Sequence, residues 1–295
     1  MAFSRQRFWD LLKAAPRGPL RAVSTSGEPR DGLVVETLEF ELESGERMRG
    51  FVARPATPGP HPALLYMHSH GGKYHIGADE MLKGHDYIGP LGPVFARAGY
   101  VTLMVEMPLF GTRATSSESA LSKALLWRGR TLMGQMLSEL TGALGYLAAR
   151  PDVDAARIGA FGISMGCTHG FMLAALDDRI KAITHLCCYA DYDVMIDLGL
   201  HDAHGHYLTI PGMLAETSVG EICGAIAPRP QLICIGADDP LTPPAAVAKA
   251  RGETEAAYRS AGHPEALEMF VEPGVAHQET PAMRQRFLEF FARAL

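Results

Sequence analysis

The sequence predicts an α/β fold in which a mostly parallel sheet is covered on both faces by helices. Three observations predict it. Short unbroken apolar runs recur after Pro60: ALLYMH, YVTLMVE, RIGAFGI, KAITHLCCY, PQLICIG and ALEMFVEP. Such runs suit strands that are buried on both sides. Longer helix-like segments separate them, which is the pattern of strand–helix–strand crossovers. Ahead of them, the alternating stretches GLVVETLEFEL and ERMRGFVARP flank Glu43-Ser44-Gly45, a β-hairpin signal.

Taken in order, the N-terminal segment places Phe8, Leu11 and Leu12 at helical spacing and predicts a short amphipathic helix. The polar stretch from Pro16 to Asp31 reads as a surface connection. The hairpin and the alternating strands and helices follow. The stretch Ala120 to Arg150 is mostly helix and stops at Pro151. Between Cys188 and Pro228 the rhythm breaks, and a long insertion in such a fold usually forms a lid or a pocket wall. Residues 1–30 are therefore read as an N-terminal helix and connection. Residues 31–295 are read as one domain, with an insertion at about 190–228 near the site.

Composition narrows the function classes. A formal net charge of -6 gives nothing to counterion release on DNA or RNA, so no nucleic-acid partner is expected. The N-terminus lacks the apolar core of a secretory signal. No window approaches the roughly 18 unbroken apolar residues of a membrane span. A cytoplasmic location is expected, with no membrane partner. The five cysteines are odd in number, form no CxxC pair and lie in apolar surroundings such as THLCCYA, so they read as reduced core residues. Apolar positions of the N-terminal helix could support a homodimer.

The chemistry-bearing signal is Gly162-Ile163-Ser164-Met165-Gly166. It follows the strand RIGAF and precedes the helix-like run CTHGFMLAAL, the context a nucleophile elbow demands. Serine needs a base, and in hydrolases built on this turn the partners follow in the order Ser, Asp or Glu, His. After the strand QLICIG, Asp239 completes Gly-x-x-Asp from Gly236. Asp238 is its neighbour and rival, and Asp191 is a lesser one. His277, in the loop between the last strand and the closing helix, stands where the base belongs. Oxyanion donors are expected at the backbone N–H of Met165 and at that of His70, in the loop His68-Ser69-His70-Gly71-Gly72. His68 with His70, and His201 with His204 and His206, lack convincing metal-ligand spacing, so no metal is expected. Tyr192, Tyr207 and Met213 from the insertion are candidates to shape the substrate pocket.

Together MHSHGGKYHIG, AGYVTLMVEMPLFGTR, RIGAFGISMG, IPGMLAE with GAIAPRPQLICIGADDPLTP, and GVAHQ resemble the dienelactone-hydrolase-like and acetyl-xylan-esterase-like branch of the α/β-hydrolase superfamily. The resemblance runs from Pro60 to the C-terminus and is most specific around Ser164 and IAPRP. It implies an α/β-hydrolase fold with an eight-stranded, mostly parallel sheet; in this chain the N-terminal helix extends it and the insertion follows strand 6. It implies a cofactor-free esterase that cleaves a small or short-acyl carboxylic ester through an acyl-enzyme. Ser164, Asp239 and His277 match the family triad, and His70 and Met165 fall at its oxyanion positions. The same triad also serves lactone, amide and carbon–carbon bond hydrolysis in other members. Three departures stand out: serine replaces the cysteine nucleophile of dienelactone hydrolases, Cys167 replaces a common glycine, and Glu106 replaces a common aspartate.

Overall fold

A computed structural model describes residues 3–295. Nine strands form one sheet: β1 (Ala22–Arg30), β2 (Leu33–Glu41), β3 (Arg47–Pro55), β4 (His61–Met67), β5 (Val101–Val105), β6 (Val153–Ile163), β7 (Ile180–Leu186), β8 (Gln231–Gly236) and β9 (Leu267–Glu272). Their order is β1-β2-β3-β5-β4-β6-β7-β8-β9. The first three strands run antiparallel up to β5, and the rest of the sheet is parallel. The helices are α1 (Arg5–Leu12), α2 (Glu80–Lys83), α3 (Leu91–Arg97), α4 (Glu118–Trp127), α5 (Leu132–Ala148), α6 (Met165–Leu176), α7 (Tyr192–Asp197), α8 (Val219–Gly224), α9 (Pro244–Ser260) and α10 (Pro281–Ala294). None is long and apolar enough to cross a membrane among the described residues.

Strand pleating sends alternate side chains to opposite faces. Ala63, Leu65 and Met67 of β4 join one core with residues of α1, α5, α6 and α8, while Leu64 and Tyr66 join a second core with α3 and α10. Both faces are thus covered, as the unbroken apolar runs require. Helix starts follow local capping chemistry: Ser117, Thr131 and Thr280 each accept a hydrogen bond from a first-turn N–H of α4, α5 and α10. The long helical stretch after residue 117 is two helices, because the chain turns at Gly129 with φ +70°.

The N-terminal region departs from expectation. The sheet has one strand more than the eight the resemblance implies, because Ala22–Arg30 is a strand and not a surface connection. It pairs with β2 through the two-residue turn Asp31-Gly32, whose φ values of 51° and 77° match a hairpin turn of the twisted kind. Its polar sequence, with Gly27 and Pro29, lacks apolar alternation because it is an edge strand that buries little. The apolar face of α1 is covered within the chain: Phe8, Trp9 and Leu12 are buried. The Thr131 hydroxyl donates to the Leu12 carbonyl at 2.5 Å, and a Cβ on Gly134 of α5 would sit 2.1 Å from that same oxygen.

Two departures from the family pattern acquire a structural role. Glu106, fully buried after β5, accepts from Arg49 Nε of β3 at 2.9 Å and from the Thr112 backbone N–H at 3.0 Å, so the longer carboxylate spans a strand and a loop. Cys167 is buried with Sγ 3.3 Å from His185 Nδ1. Next to Glu106, the buried Arg113 guanidinium binds Glu139 at 2.6 Å, Glu46 at 2.8 Å and the Glu106 carbonyl at 2.9 Å. Replacing Arg113 with methionine would leave Glu139 buried and uncompensated. We expect it to lower unfolding free energy by about 3–5 kcal/mol, measured by urea denaturation.

Candidate active site

Reversal of strand order around β4 creates a crevice at the carboxyl ends of β4 and β6, the place where open α/β sheets bind ligands. Ser164 stands there, between β6 and α6. Its backbone is held at φ 58° and ψ -120°, a conformation rare for a residue with a side chain. The turn closes because its N–H donates to the Leu186 carbonyl of β7 at 3.0 Å. The flanking glycines are required by close approach. A Cβ on Gly162 would lie 2.2 Å from the Gly166 carbonyl oxygen, and one on Gly166 would lie 2.0 Å from that of Met67. As the first residue of α6, Met165 carries a backbone N–H that has no partner inside the helix.

Contacts distinguish the candidate carboxylates. Asp239, buried in the turn after β8, places Oδ2 2.8 Å from His277 Nδ1, while its Oδ1 accepts from the Leu241 N–H at 2.9 Å. Asp238 is exposed. Asp191 is buried but engaged elsewhere, capping α7 and binding Lys249 at 2.7 Å. The contact with Asp239 assigns the His277 proton to Nδ1 and leaves Nε2 as the free lone pair. That Nε2 is buried and has no partner among the described residues. It lines the same cleft of about 460 Å³ as Ser164. Ser164 Oγ lies 3.8 Å from Cys188 Sγ. Serine–histidine bonds in hydrolases often tighten only when substrate binds.

The loop after β4 is organised by the two histidines that its sequence left ambiguous. His68 is fully buried: Nδ1 donates to the Ser69 carbonyl at 2.9 Å, and Nε2 accepts from the Met107 N–H at 3.1 Å. It does both only as a neutral ring, and burial holds its pKa below the ordinary histidine value. The trans Ser69–His70 peptide therefore has its carbonyl tied to His68, and the His70 N–H on the same peptide points the opposite way. Below the loop, the Ser69 N–H donates to Glu80 at 2.9 Å, and His85 Nε2 lies 2.6 Å from the Ser69 hydroxyl.

Glu118, at the start of α4, went unnoticed in the sequence. Its carboxylate accepts from His70 Nε2 at 3.2 Å, from the Tyr74 hydroxyl at 3.0 Å and from the Tyr207 backbone N–H at 2.8 Å. Burial pushes its pKa up, but these bonds outweigh burial and hold it below the usual carboxylate range. It thus joins the His70 loop to the insertion. Tyr87 also lines the cleft and was not anticipated; nothing in its local sequence marks it.

The pocket candidates divide. Tyr207 lines the Ser164 cleft, stacked between His70 and His169 at 5.9 and 5.5 Å. Tyr192 and Met213 instead line an adjoining cavity of about 420 Å³ inside the insertion, which shares the wall His204–Gly205–His206 with the cleft. Of the histidine cluster, His201 and His206 are exposed. His204 turns into the cleft with Nε2 buried and unpartnered, and burial followed by the nearby His277 lowers its pKa. Among the described residues, the one trio of ligand-type side chains that converges is Cys187, Asp239 and His277, within 4.8 Å of one another. Two of those are the hydrogen-bonded Asp239–His277 pair, and burial pushes the Cys187 thiol up and away from thiolate. A larger groove, about 560 Å³, crosses β1–β3 but is lined by no histidine or cysteine.

Residues 48–190 match the dienelactone hydrolase family. Across nearly the whole chain, YtaP of Bacillus subtilis (strain 168), a protein named as a hydrolase, is 35% identical over 297 residues, which cover 99% of this chain and 98% of YtaP. The chain belongs to the dienelactone hydrolase family. Membership makes it a hydrolase on the α/β-hydrolase fold. Esterase FrsA of Shigella boydii serotype 18 (strain CDC 3083-94 / BS512) is a more distant relative, 27% identical over 79% of this chain; the match spans 55% of FrsA. Acetyl xylan esterase 1 from Thermoanaerobacterium sp. JW/SL YS485 superposes with a TM-score of 0.64 at 18% identity, covering 98% of this chain and 92% of that one. That likeness is one of fold.

Proposed function

We propose that the protein hydrolyses small or short-acyl carboxylic esters through an acyl-enzyme on Ser164. The observation that carries this reading is the 2.8 Å contact between His277 Nδ1 and Asp239, in the cleft that also holds Ser164 on its strained turn. Such a pair leaves Nε2 able to take the serine proton as the hydroxyl attacks the ester carbonyl. Asp239 holds the imidazole in the required tautomer and stabilises its positive charge. The backbone N–H groups of Met165 and His70 donate to the oxyanion. His277 then protonates the leaving alcohol, and water repeats the sequence to release the acid. The esterase name of the relative FrsA favours esters as the substrate class.

The test is labelling with a fluorophosphonate probe followed by peptide mapping, together with a panel of p-nitrophenyl esters from acetate to octanoate. Labelling confined to Ser164, with turnover of the shorter esters, is expected. A protein that stays unlabelled, or that turns over amides or lactones but no ester, overturns the reading. Glu118→Gln is expected to lower kcat/KM by about tenfold or more, because it weakens charge-assisted bonds that hold the His70 loop. Steady-state kinetics on p-nitrophenyl acetate measures it, with probe labelling of Ser164 preserved.

A further inference from the structure

Tyr87 occupies a place that the serine mechanism above leaves unassigned. It lies in a tight turn closed by the His85–Ile88 bridge, and its carbonyl accepts from the Glu279 N–H at 2.8 Å, two residues beyond His277. Its ring meets the His277 ring edge to face, with centroids 5.3 Å apart. Its hydroxyl abuts the loop after β4 so closely that a Cβ on Gly71 would sit 3.0 Å from the oxygen. That oxygen lies within interaction range of the Ser69 and Ser164 hydroxyls, yet no hydrogen bond of standard geometry joins it to either among the described residues.

A buried hydroxyl without a partner in the described residues is unusual, since the great majority of buried polar atoms are paired. The Ser69 hydroxyl, one of its polar neighbours, is held by Glu80 and His85. What the Tyr87 O–H lacks is an acceptor, and it lacks one beside the nucleophile, at the glycine next to the expected oxyanion donor His70. An oxygen that gains negative charge during reaction is such an acceptor. Burial also pushes the phenol pKa up, so the group remains a neutral donor at any working pH.

We propose that Tyr87 is a third oxyanion donor, its hydroxyl donating to the carbonyl oxygen that becomes negative when Ser164 attacks. The proposal rests on the ester-hydrolase reading. The hydroxyl stays protonated throughout, so the step adds one hydrogen bond and transfers no proton.

Tyr87→Phe removes the donor and keeps the ring against His277. Kcat for p-nitrophenyl acetate is expected to fall about 100-fold, in the range seen for loss of one oxyanion donor, with KM little changed. Affinity for a trifluoromethyl ketone, which forms a tetrahedral adduct with the serine, is expected to fall by a similar factor. Tm is expected to hold or rise, because the substitution deletes an unpaired buried hydroxyl. The proposal is overturned if kcat stays within about twofold of the parent protein, or if kcat falls while the ketone binds as before, which marks the hydroxyl as acting through its neighbours and not on the oxyanion. Should the parent protein hydrolyse no ester, the ester reading fails on its own. The rate of fluorophosphonate labelling at Ser164 then decides for Tyr87, slower in Tyr87→Phe if the donor is real and unchanged if it is not.

Discussion

His277→Ala is expected to reduce kcat on p-nitrophenyl acetate by about 10⁶-fold, down to the residue that substrate binding and oxyanion contacts supply alone. The size follows from how few groups can replace it. Serine at its own pKa is a weak nucleophile, and among the described residues the only imidazole in the cleft that is both oriented by a carboxylate and open at its second nitrogen is this one. His204 also turns its Nε2 inward, but among the described residues no carboxylate orients it, and burial works against its carrying a proton. Ser164→Ala should match His277→Ala, and the double variant should lose little more, because the two residues act as a unit. Both variants should unfold at the Tm of the parent protein. A His277→Ala enzyme that keeps a hundredth of its activity would place the base elsewhere.

Asp239→Asn is expected to cost about 10⁴-fold in kcat with KM nearly unchanged, whereas Asp238→Asn should have little effect. An asparagine at 239 can turn its amide nitrogen toward His277 and drive the ring proton to Nε2, the nitrogen that must accept from serine. The neighbouring Asp238 is exposed and its backbone N–H pairs with Val275, so its side chain has no such leverage. Steady-state kinetics on the pair of variants separates two residues that adjoin in sequence. A loss confined to Asp238→Asn would reverse the assignment.

Much of this was legible because it is local. The nucleophile turn declares itself through two glycines at fixed offsets, and the structure shows why, since a methyl at either position would strike a backbone oxygen. The strands of the parallel sheet are legible for the same kind of reason: burial on both faces forces every position to be apolar. Strand β1 escaped because an edge strand is under no such demand, although the Asp31-Gly32 turn was a fair hint. Glu118 and Tyr87 escaped for a deeper reason. Each matters only through residues far off in the chain, Glu118 through Tyr207 and Tyr87 through His277, and no spacing rule reports such meetings. Tyr192 and Met213, expected at the substrate pocket, wall an adjoining cavity and not the cleft, a distinction that depends on how this segment coils.

One support of the loop after β4 is the His68 imidazole. His68 can donate upward to Ser69 and accept sideways from Met107 only while uncharged. Its depressed pKa keeps it so in the folded chain after a histidine in the unfolded chain would have taken a proton. Stability contributed by this ring is therefore complete above about pH 6.5 and drains away as acid is added toward its lower folded value. Below that point an extra proton meets the Met107 N–H head-on, and the cradle loses its footing. Acid would then silence the enzyme from underneath, by undermining the masonry of that loop.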